Sequence, residues 1–370
     1  MIHSLQLQNF KCFENQTITL RNLTLLSGLN GMGKSSVIQS LLLLRQSFQQ
    51  GLLPDNGLAL NGDLARVGTA KDALFENASD DYISFSLEWA DIDRTTWRFM
   101  YDREADVLAL DSPSVPFSTY SESLFSDNCH YLQAERVGPR TAFDMSDYLV
   151  RQHYQLGSRG EYTAYFLYVY GRRAIVHEEL SHPQATSLDL QDQVEAWIGE
   201  VSPGTRIELT PNIGMDLMNL QFSFVAENQV SNKYRATNVG FGLTYTLPII
   251  VAVLSAQTGS LVLIENPEAH LHPKGQAQMG TLLARAANCG VQIVVETHSD
   301  HVLNGIRLAV RRGELNPNRA QLHFFQRQHR QATEIISPRL DRDGRIDPWP
   351  DNFFDEWDKS LESLLEPIDR

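Results

Sequence analysis

The residues best equipped for chemistry lie in "GLNGMGKSS", positions 28–36. Their spacing fits G-x-x-x-x-G-K-[ST] in full, running from Gly28 through Asn30, Gly31, Met32, Gly33, Lys34 and Ser35 to Ser36. Glycines at these intervals let backbone N–H groups curl around a β-phosphate; the lysine reaches the β and γ oxygens, and the Ser35 hydroxyl can ligate Mg²⁺. Such a loop needs an acid from a neighbouring strand to hold the ion, directly or through water. "LVLIE" delivers one, with Glu265 closing a run of apolar residues. A second apolar run, "QIVVETHS", ends in Thr297 and His298, and an imidazole there can donate a hydrogen bond to a γ-phosphate.

These side chains need elements to position them. "IHSLQLQNF", "QTITL" and "LTLLSG" read as strands, then comes the glycine loop, then the apolar helical run "SSVIQSLLLLRQSF". "YISFSLEW" and "TTWRFMYD" read as a hairpin pair. Residues 1–101 therefore form the first part of an α/β unit. Between 102 and 235 the character changes to mixed polarity with several helices and strands but no sustained heptads, which points to a folded lid or helical insertion. From 236 to 370 the α/β rhythm returns, with apolar strands "LVLIE" and "VQIVVET" alternating with helices, as in a mostly parallel sheet covered on both faces. "DNFFDEWDKSLESLL" reads as a closing amphipathic helix.

A net charge of −14 argues against a chain whose main business is wrapping nucleic acid. Arg307, Arg311 and Arg312 cluster, but at the end of an expected helix, where cations suit the dipole. No apolar run approaches the roughly 20 residues needed to span a bilayer, and the N-terminus lacks the apolar core of a signal peptide. The three cysteines are scattered without metal spacing, as expected in a reducing compartment. A cytoplasmic chain without a membrane partner is the expectation.

The three motifs, in this order, resemble ABC-type ATPases of the SMC and RecF kind, and more closely those related to the OLD group. "GLNGMGKSS" is similar to their Walker A, "LVLIENPEAHLHP" to Walker B running into the D-loop, and "ETHSD" to the switch-histidine region. "YLQAERVGPR", "NVGFGLTYTLPIIV" and "DPWPDNFFDEW" resemble a subgroup found in bacterial defence loci. The resemblance implies an ABC-ATPase head with ATP and Mg²⁺ as cofactors, Ser35 and Glu265 at the metal, and a homodimer or higher oligomer closed around the nucleotides. Each site would be completed by the partner's signature loop, here "NVGFG" with Asn238, Gly240 and Gly242, anchored by Asn238 or Thr244. "HLHP", residues 270–273, would be the D-loop, its histidines making interface contacts. OLD proteins append a nuclease; here "LDRDG", with Asp341 and Asp343, reads as a turn between strands, so no nuclease is expected.

Aligned on Pro267, the family's Asp-Glu-Pro becomes Glu265-Asn266-Pro267, followed by Glu268. A carboxamide orients water but cannot take its proton, and general-base help is worth about 10²–10⁴ in rate. Either the chain is an ATP-binding switch, or Glu268 turns toward the water and Asn266, His298 and Lys34 sustain slow hydrolysis. The expected function is an ATP-controlled dimeric sensor or scaffold for an effector, a nuclease or toxin encoded nearby, in anti-phage defence. The alternative is a RecF- or SMC-like DNA-repair or chromosome-maintenance ATPase that clamps DNA, which keeps nucleic acid open as a partner.

Overall fold

The strands that read as apolar on both faces are buried on both faces. The computed structural model describes residues 1–92, 94–112, 115–227, 229–327 and 332–366. Its central sheet runs, edge to edge, Glu334–Ile336, Ala320–Gln326, Leu23–Gly28, Gln292–Glu296, Leu261–Glu265 and Cys129–Leu132. All neighbours are parallel except the first pair. Leu261, Leu263 and Val294 point into one buried cluster, shared with the helix Lys34–Gln49. Val262, Ile264, Ile293 and Val295 point into the other, shared with the helices Phe241–Ser255, Pro273–Asn288 and Asp300–Arg311. This is the α/β head expected from the sequence.

A second, antiparallel sheet orders Phe13–Thr19, Ile2–Phe10, Tyr82–Trp89 and Thr95–Met100 and covers the helix that follows the glycine loop. The buried Gln292 side chain joins the two sheets. Its Oε1 accepts the Ile2 N–H at 2.9 Å, and its Nε2 donates to the Ile2 carbonyl at 2.6 Å.

The stretch expected as an insertion contributes Cys129–Leu132 to the central sheet, paired with Leu261–Glu265. Farther along, the helices Thr163–Tyr170 and Leu190–Ile198 pack with the antiparallel strands Thr205–Asn212 and Leu217–Ala226. Trp197, Ile207 and Phe222 join the same buried cluster as the core helices. The "LDRDG" stretch is a turn between Arg339–Leu340 and Ile346–Asp347, where the Asp341 carboxylate accepts the N–H groups of Asp343 and Arg345. The closing helix, Glu356–Leu365, leaves Trp357 and Leu364 exposed. No helix among the described residues is long and apolar enough to cross a membrane.

Candidate functional site

Parallel pairing aligns the C-terminal ends of neighbouring strands, which is where open α/β sheets place ligands. Glu265 is in register with Glu296, and Glu296 with Leu26 of the strand that leads into the glycine loop. Gly33 ends the loop at φ 101°, and a Cβ there would lie 2.4 Å from the Cys12 sulfur, so both backbone and space demand glycine. The helix beyond it begins at Lys34.

Lys34 is buried, and its ammonium donates to the carbonyls of Gly28 and Leu29, both at 2.9 Å. It also stands 3.9 Å from the Glu296 carboxylate, and Ser35 Oγ donates to Glu296 Oε1 at 3.0 Å. The other carboxylate oxygen of Glu296 is buried without a partner. Burial lowers the Lys34 pKa, and burial pushes Glu296 up to about 7 against the opposing Ser35 hydrogen bond, with Glu265 adding to the upward push. Both groups shift against their charged forms. Desolvation therefore outweighs their mutual attraction, and the pair gains from further counter-charges.

Asn30, Gly31, Lys34, Ser35 and Ser36 line a cleft of about 530 Å³, walled by Lys11, Asp72, Phe75 and Glu296. Met32 instead packs against the buried cluster beneath.

Glu265 takes other partners. Its carboxylate accepts from the Tyr131 hydroxyl and the Ala134 N–H, each at 3.0 Å. Burial and the Glu265 charge hold the Tyr131 phenol well above its ordinary pKa. Asn266 lies in the left-handed region at φ 45°, where asparagine is among the few tolerated side chains. Its N–H donates to the Glu296 carbonyl at 2.9 Å. Both oxygens of Glu268 are engaged, one by Thr297 Oγ1 at 2.7 Å and one by the His298 N–H at 2.8 Å. The His298 side chain is exposed and lines a neighbouring cavity with Ser27, Gly28 and Leu29. Desolvation of the ring, aided by the Lys34 charge, lowers its pKa and favours neutral imidazole.

Asn238, Gly240 and Gly242 line a different cleft, of about 500 Å³, together with His270 and His272. A Cβ at Gly242 would sit 2.8 Å from the His270 carbonyl, so this glycine permits the two loops to meet. The His270 ring packs on Phe241 and Tyr245, while His272 caps its helix by accepting the Lys274 N–H. Thr244 is buried and turned to the Phe241 carbonyl, which leaves Asn238 as the exposed polar group of this loop.

Two residues escaped the sequence reading. Arg136 is 1% exposed, and its guanidinium donates to the carbonyls of Gln133, Tyr245, Glu265 and Asn266. It ties the helix after Gly240 to the exit of the Glu265 strand; burial brings its pKa down to about 10, and it remains a cation at neutral pH. Glu296 was the other. Its signal was present, since "QIVVE" ends an apolar run in glutamate just as "LVLIE" does.

Three family models match separate stretches of the chain. One described as an AAA ATPase domain covers residues 1–92. An AAA-domain model whose description names the AbiEii toxin and the type IV toxin–antitoxin system covers 179–304. A family described as a protein of unknown function, DUF3696, covers 315–364. No curated protein matches the chain. Among solved structures, an Smc head bound to the C-terminal winged-helix domain of ScpA aligns with TM-score 0.57 at 14% identity, covering 92% of this chain and 98% of that one. An Smc head with an extended coiled coil, bound to a ScpA domain from Pyrococcus furiosus, aligns with TM-score 0.52 at 14% identity over 99% of both chains.

Proposed function

This chain carries the P-loop ATPase head of the SMC-, RecF- and OLD-like group, and on that footing we propose that it works as a dimeric, slowly hydrolysing switch. Two copies close around two MgATP molecules and thereby hold or release a partner effector in bacterial anti-phage defence. Backbone N–H groups of residues 30–36 cradle the phosphates, including that of Met32, and Lys34 leaves the Gly28 and Leu29 carbonyls to reach the β and γ oxygens. Ser35 supplies the hydroxyl for Mg²⁺, and the carboxylates of Glu265 and Glu296 supply the negative charge around it. The buried, unpartnered Glu296 oxygen beside Ser35 supports a cation at this place. Bound there, Mg²⁺ neutralises charge on the phosphates.

Asn266 orients the attacking water without taking its proton, and neutral His298 donates to the γ-phosphate. Glu268, with both oxygens committed, positions His298. Slow turnover follows from the missing general base.

The observation that carries the dimer is the separation of the two halves of the site. The loop of Asn238, Gly240 and Gly242 opens on one cleft and Lys34 on another, so a phosphate touching both calls for a second copy. Leu29 and Phe241, 65% and 53% accessible, are open to a closing partner. The defence setting draws on the AbiEii-related description of residues 179–304, and a nuclease or toxin from a neighbouring gene is the effector. The use of Asp341 as a turn acceptor supports placing destructive chemistry in that partner.

The test compares the wild-type chain with Lys34→Ala by light scattering and phosphate release, with and without MgATP. The proposal expects ATP-dependent dimers and slow release in the wild type alone. A chain that stays monomeric and releases no more phosphate than Lys34→Ala sinks it. An ATP-dependent, salt-sensitive shift of duplex DNA transfers support to the DNA-clamping alternative.

A further inference from the structure

We propose that Glu296, rather than Glu265, is the carboxylate that contacts the nucleotide's Mg²⁺, and that it shares the ion with Ser35. The assignment rests on the ATP-binding reading above and sharpens it.

Glu296 Oε1 already meets the Ser35 hydroxyl at 3.0 Å. Mg²⁺ takes oxygens at about 2.1 Å in an octahedron, so two adjacent ligands stand roughly 3.0 Å apart. The hydroxyl and the carboxylate are thus at the separation that two neighbouring positions on one ion require. The glutamate itself is 6% exposed, and its Oε2 has no hydrogen-bond partner. Leaving a carboxylate oxygen buried and unpaired costs folding free energy, and such groups mark places where a ligand or ion belongs.

Glu265 is set apart by its partners, since its two carboxylate oxygens accept from the Tyr131 hydroxyl and the Ala134 N–H. Glu265 therefore anchors the segment that carries Arg136, while its charge adds to the field around the ion. The chain thus has a carboxylate for the metal at the end of the strand that leads to Thr297 and His298.

The experiment measures the affinity of a fluorescent ATP analogue for the full chain with Mg²⁺ and with EDTA. Wild type, Glu296→Gln, Glu265→Gln and Lys34→Ala are compared, and Mn²⁺ electron paramagnetic resonance with a non-hydrolysable analogue reads the metal directly. Wild type should bind at least tenfold tighter with metal. Glu296→Gln should lose most of that gain and the bound Mn²⁺ signal, with its EDTA affinity unchanged or tighter, which also shows that the variant is folded. Glu265→Gln should lose clearly less of the gain than Glu296→Gln and keep the bound Mn²⁺ signal. A Glu296→Gln chain that retains the metal gain overturns the assignment, as does a Glu265→Gln chain that loses as much or more. A wild type indistinguishable from Lys34→Ala in both conditions removes ATP binding itself, and this assignment with it.

Discussion

The Glu268 carboxylate accepts the backbone N–H of His298, 30 positions away, at 2.8 Å, while its second oxygen takes the Thr297 hydroxyl. The turn after the Glu265 strand is thereby fastened to His298, which lines a cavity with Ser27, Gly28 and Leu29. A carboxylate committed in this way is a positioning group, and its substitution separates the two readings of "ENPE".

Glu268→Gln should lower phosphate release by less than about tenfold and leave nucleotide affinity within threefold, because the amide still accepts one of the two bonds. A general base at this position would cost about 10²–10⁴. Single-turnover phosphate release decides between them.

Asn266 holds φ 45° with its main chain bonded on both sides, to Glu296 and to Arg136. Asn266→Ala should destabilise the chain by about 1 kcal/mol, and Asn266→Gly by less than half of that, in urea melts. On the proposed ATPase reading, Asn266→Glu returns a carboxylate to the general-base position at a similar strain, and phosphate release should rise at least tenfold. An unchanged rate would put the attacking water elsewhere.

Removing Arg136 takes a charged donor from four part-buried carbonyls. Arg136→Met should lower stability by roughly 3 kcal/mol or more. Arg136→Lys should recover less than half, since an ammonium cannot reproduce the planar fork. Full recovery by lysine would show that charge, not geometry, joins the Tyr245 helix to the Glu265 strand.

His130 is 3% exposed on the edge strand Cys129–Leu132, and burial, with the nearby Arg45 charge, lowers its pKa from 6.5 to about 4. Between these values the unfolded chain takes up a proton that the folded chain refuses, so stability falls as pH drops through that window. Across the whole window the loss is on the order of 3 kcal/mol. Denaturant melts of His130→Phe should lack this acid-side loss between pH 7 and 4. Parallel curves for the two proteins would refute it.

The fold was legible wherever burial on two faces left an uninterrupted signature, as in "LVLIE" and "QIVVET", and the glycine loop was legible because its pattern is itself the geometry. Cys129–Leu132 was not, because a four-residue edge strand carrying His130 and Tyr131 shows no such run. Arg136 reads in sequence as an ordinary surface charge; only the convergence of carbonyls from three segments makes its burial tolerable. Of the candidate site, the glycine loop was in view, while Glu296, the companion of Ser35, was masked by Glu265, which ends an apolar run of the same pattern.

The placement of Leu23–Gly28 between Gln292–Glu296 and Ala320–Gln326 carries a consequence for biosynthesis. The glycine loop is translated well before the two strands that flank its own, and the Gln292 clamp on Ile2 closes over 290 positions. A nascent chain therefore lacks the neighbours of the glycine-loop strand until both have been translated, and contacts of such span form slowly. The loop is braced on both sides only after those two strands have emerged.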